Sequence, residues 1–466
     1  MRKEMKTLIQ GIWGKVTSRP DAREMNAWVE EVVKHPSIRN KQYQSVFVGY
    51  DLDDKLRLTG GAGRLAGMRV LVSHGALRGE LDLPDGTVIK IDRSEGAPFA
   101  SVPFTGVFAL CNELRNELGA LLSPDCREIP FLGGIRSILL SDEPQVIADY
   151  YLPEAELFGG EGGFTLFRAE HVSPDLPMPG PAPEGGAEHC RELSRTEYPA
   201  EADYLTGMEK VLEKLRSQQL QKIVISRKRT ITADETFRRE DYIDFMLKNF
   251  FQEYFFQFRQ GEDAYWASIS PEIIMKQRGR RAVTKPLAGT RKKYEDEALN
   301  EQMRQELNST TKDITEHEYA LQFMRRQLEN ADIGRVNIDK ERILLETPYT
   351  FHIKSEISVA LKENVSCFDI INAIYPPATV WGIPVDETEY TLSRTEPYDR
   401  EFFTGVYGWW DFAGSADTAL IIRCARIDGH DVSVYAGGGI VSDSDPHAEF
   451  EETVNKMRPL SSYFVK

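Results

Sequence analysis

The segment AGGGIVSDSDPHAEFEETVNKM, residues 436–457, says more about the fold than any other part of the chain. Three consecutive glycines let the backbone come close to a small group, because glycine has no Cβ. The residues after Pro446 follow a helical pattern, in which Phe450, Val454 and Met457 recur at i, i+4 and i+7 on one face. The segment therefore predicts a helix that packs into the core beside a close approach of the backbone.

Two pairs of acidic residues lie at helical spacing in separate segments. Glu449 and Glu452 are three residues apart in the segment above, and so are Asp313 and Glu316 in TTKDITEHEYALQFM, residues 310–324. If the four carboxylates converged, they would repel one another unless a hard cation such as Mg²⁺ neutralised them. A solvated helix face is the alternative interpretation, and spacing alone leaves both open.

The remaining patterns predict the fold class. Short strand-like runs fill the first part of the chain, and residues 171–187, rich in proline and glycine, predict an exposed linker or long loop. Beyond them, residues 199–218 and 294–330 show helical patterns that alternate with strand candidates, among them residues 221–231, 264–276 and 419–428. This order predicts an α+β fold with large, mostly antiparallel β-sheets flanked by helices.

Composition excludes several classes of protein. The 466 residues hold 57 Lys and Arg against 73 Asp and Glu, a formal charge of −16, so nucleic acid is not an expected partner. No run of about 18 apolar residues predicts a membrane span, and the N-terminal residues lack a signal-peptide pattern. The five cysteines are scattered, as expected for reduced thiols. We therefore expect a cytoplasmic protein.

One glycine motif resembles a nucleotide-binding loop but lacks the spacing and the following helix of such a loop. GGAGRLAG, residues 60–67, has the spacing GxGxxxG, and strand-like MRVLVSH follows it where a dinucleotide fingerprint requires a helix. The motif predicts a turn between two strands.

Ten segments in order along the chain match one enzyme family. They are KIVISR (222–227), SPE (270–272), KPLAGTR (285–291), KDITEHE (312–318), FHIKSEI (351–357), PPATVWGIP (376–384), FFTGVYGW (402–409), ALIIRCA (419–425), AGGGIVSDSDP (436–446) and EFEETVNK (449–456). With these blocks the chain resembles the chorismate-utilising enzymes, which include anthranilate, aminodeoxychorismate, isochorismate and salicylate synthases. The resemblance implies a single chorismate-binding fold. Residues 1–190 would be its variable N-terminal part and residues 191–466 its catalytic core.

The resemblance also implies a site. Glu316 and Glu452 would bind Mg²⁺ directly, with Asp313 and Glu449 in support. Arg423 and Lys456 would hold the two carboxylates of chorismate. The other implied substrate-binding residues are Ala288, Gly289, Thr290, Thr379, Phe403, Ile422, Gly438 and Gly439, and the implied catalytic residues are Lys222, Glu272 and His352.

Two positions distinguish the activities within the family. Aminodeoxychorismate synthases often have Lys where this chain has Ala288, and ammonia-using members such as anthranilate synthase usually have Gln where it has Lys222. Water-using members resemble this chain at residue 222. The resemblance thus implies an isochorismate synthase that needs no glutaminase subunit.

Water addition at C2 of the ring requires a base, and loss of the C4 hydroxyl requires an acid. Lys222 is the expected base, provided that its environment lowers its pKa from about 10.4. Glu272 is the expected acid, provided that burial raises its pKa. His352 corresponds to the family histidine near the enolpyruvyl group, and a hydrogen-bonded wall of the site is an equal alternative.

A salicylate synthase, which also eliminates pyruvate, is the alternative activity. Salicylate-forming members resemble one another in having Tyr where this chain has Phe403, Leu where it has Ile422, and Glu where it has Asp313. Thr379 favours the salicylate alternative, because salicylate synthases share a threonine at that position. These positions favour a reaction that stops at isochorismate.

Overall fold

The computed structural model describes fourteen stretches of the chain. They are residues 12–14, 22–38, 43–52, 55–73, 76–83, 85–93, 104–121, 129–137, 145–160, 163–168, 188–251, 253–261, 263–346 and 350–466. The segment 171–187, predicted to be a linker, lies outside them.

The described residues form helices in all three regions predicted to be helical and in several others. They are α1 (Ala22–Lys34), α2 (Phe104–Leu121), α3 (Glu201–Arg216), α4 (Arg239–Phe250), α5 (Glu297–Ser309), α6 (Thr311–Asn330), α7 (Cys367–Ile374), α8 (Val385–Thr395) and α9 (Pro446–Ser461).

Strands account for most of the remaining described chain. They are β1 (Ile12–Gly14), β2 (Gln44–Tyr50), β3 (Leu56–Ala62), β4 (Ala66–Ser73), β5 (Ala76–Asp82), β6 (Val88–Arg93), β7 (Phe131–Ile135), β8 (Gln145–Leu152), β9 (Ala155–Gly160), β10 (Gly163–Arg168), β11 (Cys190–Tyr198), β12 (Lys222–Ala233), β13 (Phe255–Gln260), β14 (Ala264–Ser268), β15 (Ile273–Arg278), β16 (Arg281–Thr284), β17 (Leu287–Lys292), β18 (Gly334–Glu346), β19 (Thr350–Leu361), β20 (Gly382–Ile383), β21 (Val406–Trp410), β22 (Ser415–Leu420), β23 (Cys424–Asp428), β24 (Asp431–Ile440) and β25 (Phe464–Val465).

The strands form two large sheets. Within the described residues the first has the order β1-β10-β9-β3-β2-β13-β14-β23-β24-β12-β11-β25, with β20 on β12, and the second has the order β17-β19-β16-β15-β22-β21-β7-β8-β4-β5-β6, with β18 on β19. Neighbouring strands are antiparallel, except that β11 and β25 are parallel. The predicted α+β class with mostly antiparallel sheets is confirmed.

The N-terminal and C-terminal parts of the chain share both sheets. Strand β2 pairs with β13 in the first sheet, and β7 pairs with β21 in the second. Each sheet is therefore continuous across residue 190. The division of the chain at that residue stays a prediction.

Three hydrophobic clusters show how the layers pack. One joins the second sheet to α2, α6 and α7, and another joins the first sheet to α1, α4 and α9. The third contains Phe47 and Phe256 of the first sheet together with Leu132 and Tyr407 of the second, so the two sheets face each other there. Helices cover the outer faces because those faces are also apolar.

Three predicted elements are divided in the structure. The helical stretch 294–330 is two helices, because Thr310 is extended and its Oγ1 donates to the carbonyl of Glu306 at 2.6 Å. The strand candidate 264–276 breaks at Pro271, and the candidate 419–428 breaks at Arg423, whose φ is +48°. Both breaks place side chains at the site described below.

The glycine motif at residues 60–67 connects β3 to β4, which lie in different sheets. It is a turn between two strands, as predicted. In the described part of the chain, no helix has the length and apolar character needed to cross a membrane.

Candidate active site

A cavity of about 200 Å³ lies where β12, β17, β19 and β24 meet α6 and α9. Four loops complete its wall, at residues 271–272, 379–380, 403–404 and 422–423. Most of the predicted site residues line it, namely Glu272, Ala288, Gly289, Asp313, Glu316, His352, Thr379, Phe403, Ile422, Arg423, Glu452 and Lys456. Elements far apart in sequence thus bring the predicted residues together.

Four predicted residues lie behind this wall: Lys222, Gly438, Gly439 and Glu449, none of which lines the cavity. Thr290 pairs with His352 across β17 and β19, and its side chain is outside the described residues.

Lys222 begins β12 and has no exposed surface. Its Nζ lies 3.1 Å from Oε1 of Glu316, which projects from α6 and lines the cavity. A lysine on a strand is commonly a solvent-facing charge. The structure instead places the amino group inside the protein, in an ion pair at the edge of the cavity.

The glycine run on β24 makes room for carboxylates. A Cβ at Gly439 would lie 2.1 Å from Oε1 of Glu316 and 3.2 Å from Cε of Lys222. A Cβ at Gly438 would lie 3.3 Å from Oε2 of Glu449, whose residue is 1% exposed. The backbone approach predicted from the sequence is therefore an approach to acidic side chains of two helices.

Glu272 follows Pro271 in the break between β14 and β15 and is almost fully buried. Burial raises its pKa to about 8, against an ordinary value of 4.5, although the positive charge of Lys222 acts in the opposite direction. The carboxyl group is therefore mostly protonated at neutral pH. A protonated carboxyl on the cavity wall can act as a general acid.

His352 lies on β19 and is nearly completely buried. Burial, followed by the charge of Arg423, lowers its pKa to about 3, so the ring is neutral at ordinary pH. Its Nδ1 lies 3.2 Å from the carbonyl of Gly289, which can only accept, so the proton sits on Nδ1. Its Nε2 then accepts from Oγ1 of Thr350 at 2.7 Å. Both ring nitrogens are engaged, which favours the structural interpretation of this histidine.

Arg423 has a left-handed backbone, with φ of +48°, in the break between β22 and β23. Such a conformation is costly for a residue with a side chain and occurs often at functional sites. Burial lowers the pKa of the guanidinium below its ordinary value, and the carboxylate of Glu452 opposes that shift. The side chain remains a cation that lines the cavity.

Asp313, Glu316 and Glu452, the acidic side chains that line the cavity besides Glu272, each have a cation nearby. Lys456 lies 2.7 Å from Oε1 of Glu452 and also donates to the carbonyl of Gly437 at 2.8 Å. Arg291 lies 2.7 Å from Oδ2 of Asp313. Together with Lys222 and Glu316, these pairs balance positive and negative groups around one small cavity.

Glu449 and Glu452, the acidic pair on α9, have different surroundings. The side chain of Glu452 is 38% exposed and lines the cavity, whereas Glu449 is buried against Gly438. The two residues share a helix face, as predicted, but only one of them reaches the cavity.

The acidic side chains of the cavity offer donors of the kind that the expected Mg²⁺ prefers. Asp313, Glu316 and Glu452 give the cavity oxygen ligands only, which suit a hard cation. In the described residues, no three His, Cys, Asp or Glu side chains lie close enough together to hold a metal ion. Mg²⁺ commonly uses one or two carboxylates and takes its other ligands from substrate and water, so the residues present fit it.

The sequence interpretation missed several lining residues. Arg291 ends the block KPLAGTR, and its position there was a usable signal. Tyr435 precedes the glycine run and stacks on Phe403 with ring centres 5.3 Å apart. Val224 follows Lys222 by two residues on β12 and could have been found from strand alternation.

The chain belongs to the chorismate binding enzyme family, which it matches over residues 169–462. It is 29% identical over 269 residues to isochorismate synthase DhbC of Bacillus subtilis, covering 56% of this chain and 67% of that protein. It is 33% identical over 208 residues to anthranilate synthase component 1 of Pseudomonas aeruginosa, covering 44% of this chain and 42% of that protein. The alignment with the Pseudomonas protein therefore spans less than two thirds of that protein's own length.

Solved structures show the same fold. The menaquinone-specific isochorismate synthase MenF of Escherichia coli has a TM-score of 0.74 at 18% identity, covering 98% of this chain and 94% of that chain. Anthranilate synthase component I of Streptococcus pneumoniae has a TM-score of 0.65 at 18% identity, covering 90% and 92%. The predicted single fold is thereby confirmed.

Proposed function

We propose that this protein is an isochorismate synthase that converts chorismate to isochorismate with Mg²⁺. One observation carries the proposal: Lys222, a buried lysine, is ion-paired to Glu316 on the wall of the same small cavity that Glu272, a carboxyl group with a raised pKa, also lines. A base and an acid at one site are what a hydroxyl exchange between two ring carbons requires. Similarity to isochorismate synthases is a second support.

The substrate is a dianion, and the cavity offers two cations for it. Arg423 can bind one carboxylate through its forked N–H groups, and Lys456 can bind the other as a point charge. Backbone at Gly289, whose φ is +69°, can approach the substrate closely because no Cβ intervenes. Holding both carboxylates fixes the ring relative to Lys222 and Glu272.

The proposed reaction balances without an external reductant or oxidant. The oxygen of a water molecule bonds to C2 while Lys222 takes its proton, the ring double bonds shift, and the C4–O bond breaks. Glu272 gives its proton to the departing hydroxyl, which leaves as water. To act as the base, Lys222 must first leave its ion pair with Glu316 and release one proton to solvent, so that its amine has a free lone pair for the water. Proton exchange with solvent restores both groups.

Glu316 and Glu452 would hold Mg²⁺, with Asp313 and Glu449 in support. The metal would supply positive charge that neutralises a substrate carboxylate. Glu316 would then serve as a ligand instead of the partner of Lys222.

Salicylate synthesis is the second candidate, and Thr379 on the cavity wall is the observation in its favour. Pyruvate loss requires that the enolpyruvyl arm is oriented for hydrogen transfer from C2. Phe403 offers that arm only packing, because it has no hydroxyl group. Anthranilate synthesis is less favoured, because Lys222 stands where ammonia-using members usually have Gln.

Product identification tests the proposal. Purified protein is incubated with chorismate and Mg²⁺, with and without ammonium, and the product is identified by NMR and chromatography. Isochorismate in both reactions is the expected result. Anthranilate that appears only with ammonium, or salicylate formed as fast as chorismate disappears, would contradict it.

A further inference from the structure

A gap in the first sheet lies directly beside the candidate active site. On one edge of β12, strand β20 pairs with Lys222 and Ile223, and β11 begins to pair only at Lys228. Between these points the backbone at Val224 and Ser226 has no strand neighbour on this edge among the described residues. Such polar groups cannot stay unpaired inside a protein without a large cost.

Two charged side chains fill the gap. Oε1 of Glu396 accepts hydrogen bonds from the backbone N–H of Ser226 at 2.7 Å and from its hydroxyl at 2.8 Å. Nη2 of Arg400 donates to the carbonyl of Val224 at 2.8 Å. The N–H of Val224 donates to the carbonyl of Trp381, also at 2.8 Å. The pair thus replaces part of a neighbouring strand.

Glu396 and Arg400 form a closed pair. Nη2 and Nε of Arg400 lie 2.6 and 2.7 Å from the two carboxylate oxygens, and neither side chain has exposed surface. The forked contact fixes both groups in one relative orientation. A buried ion pair is seldom a net source of stability, because desolvation offsets the attraction. The orientation of the two side chains is therefore more informative about the role of the pair than its contribution to stability.

The same pair reaches two other segments of the cavity wall. Nη1 of Arg400 donates to the carbonyl of Val380 at 3.0 Å and lies 3.4 Å from Oγ1 of Thr404. Val380 follows Thr379, and Thr404, with φ of +69°, follows Phe403. Val224, Val380 and Thr404 line the cavity, whereas Glu396 and Arg400 do not.

We propose that Glu396 and Arg400 are a positioning pair, which holds the strand of Lys222 in register with the loops of Thr379 and Phe403. The pair acts through these segments and touches no reacting atom. The proposal rests on the proposed function, because it assumes that the cavity is where chorismate reacts. It predicts that loss of the pair lowers catalysis beyond any effect on folding.

The decisive variant is Glu396→Gln/Arg400→Met, which removes both charges and leaves no unpaired ion in the interior. We expect it to unfold cooperatively within a few degrees of the wild type, while kcat for chorismate falls at least tenfold. Misplacement of catalytic groups by about 1 Å can cost about 100-fold in rate. Arg400→Lys keeps the charge but not the fork, so its kcat should also fall.

A control is the partly buried ion pair of Arg64 and Asp149, whose charged groups lie 2.5 Å apart and outside the cavity wall. Arg64→Met/Asp149→Asn should lower the melting temperature without changing kcat or KM more than about twofold.

The positioning proposal is overturned if Glu396→Gln/Arg400→Met has both the stability and the kcat of the wild type. It is also overturned if neither Glu396→Gln/Arg400→Met nor Arg400→Lys folds, since the pair would then be a requirement for folding. The product made by the wild type tests the proposed function separately. Turnover to another product would defeat that function, yet the ratio of variant to wild-type rates would still test the pair.

Discussion

The amino group of Lys222 lies 3.1 Å from a carboxylate oxygen of Glu316, so the proposed base and a proposed metal ligand are ion-paired. They lie on β12 and α6, and the pair exists because Gly439 leaves room for both side chains. In the proposed mechanism, this arrangement couples proton transfer to metal ligation in one site.

Replacement of the base should stop water addition. Lys222→Gln removes the amine but keeps a polar side chain, and loss of a general base costs about 10²–10⁴ in rate. Steady-state assay of chorismate consumption measures the effect, and circular dichroism checks that the variant is folded. A folded variant with more than half of the wild-type turnover would show that Lys222 is not the base.

Removal of the metal ligands should abolish activity. Glu452→Gln loses a carboxylate of the cavity while keeping its size, and chelation of Mg²⁺ should have the same effect on the wild type. Calorimetric titration with Mg²⁺ provides a readout that does not depend on turnover, and Glu451→Gln on the exposed side of α9 is the control. Full turnover in excess chelator, with Mg²⁺ shown to be absent, would contradict the prediction.

A side chain at Gly439 should disturb the ion pair and leave the fold intact. In Gly439→Ala the new Cβ would lie 2.1 Å from Oε1 of Glu316, so that flexible carboxylate has to move. We expect at least a tenfold loss of turnover and weaker Mg²⁺ binding, with a small change in melting temperature. Gly207→Ala, on α3, is the control and should leave the kinetics unchanged. Unchanged kinetics in Gly439→Ala would mean that this close approach is dispensable.

Activity should fall as pH rises through about 8. Burial raises the pKa of Glu272 to about 8, and the proposed acid is protonated only below that value. The pH profile of kcat measures this fall in activity. A profile that stays flat up to pH 9, in a protein that remains folded, would remove Glu272 from the role of acid.

The same shift predicts how stability depends on pH. The pKa of Glu272 is higher in the folded protein than its ordinary value of 4.5, so the folded state binds more protons between pH 4.5 and 8. Its contribution to the free energy of unfolding is therefore present below pH 4.5 and is lost as pH rises to about 8. Glu272→Gln should lack this loss, which melting curves across that range would reveal.

The product should be isochorismate, and one substitution should move the enzyme towards salicylate. Phe403→Tyr adds a hydroxyl group to the cavity wall, where it could orient the enolpyruvyl arm. Salicylate fluorescence followed alongside chorismate loss measures the change. We expect little salicylate from the wild type and an increase in the variant. Stoichiometric salicylate from the wild type would favour the alternative function.

The sequence by itself determined the class of fold, the nature of the local elements and the family. Apolar residues at spacing 3.6 or 2 predicted α3, α9 and β12, because periodicity records which face of an element is buried. It also placed two acidic pairs on two helices and identified the blocks that now line one cavity. These inferences depend on neighbours along the chain, which the sequence shows directly.

Only the tertiary structure decided which of these groups meet. Glu449 and Glu452 have the same spacing on α9, yet one is buried behind Gly438 and the other lines the cavity. The partner of Lys222, the raised pKa of Glu272 and the pair that fills the gap in β12 also depend on distant segments. The physical reason is that burial, hydrogen bonding and charge pairing are set by what packs against a face, and spacing along one element does not contain that information.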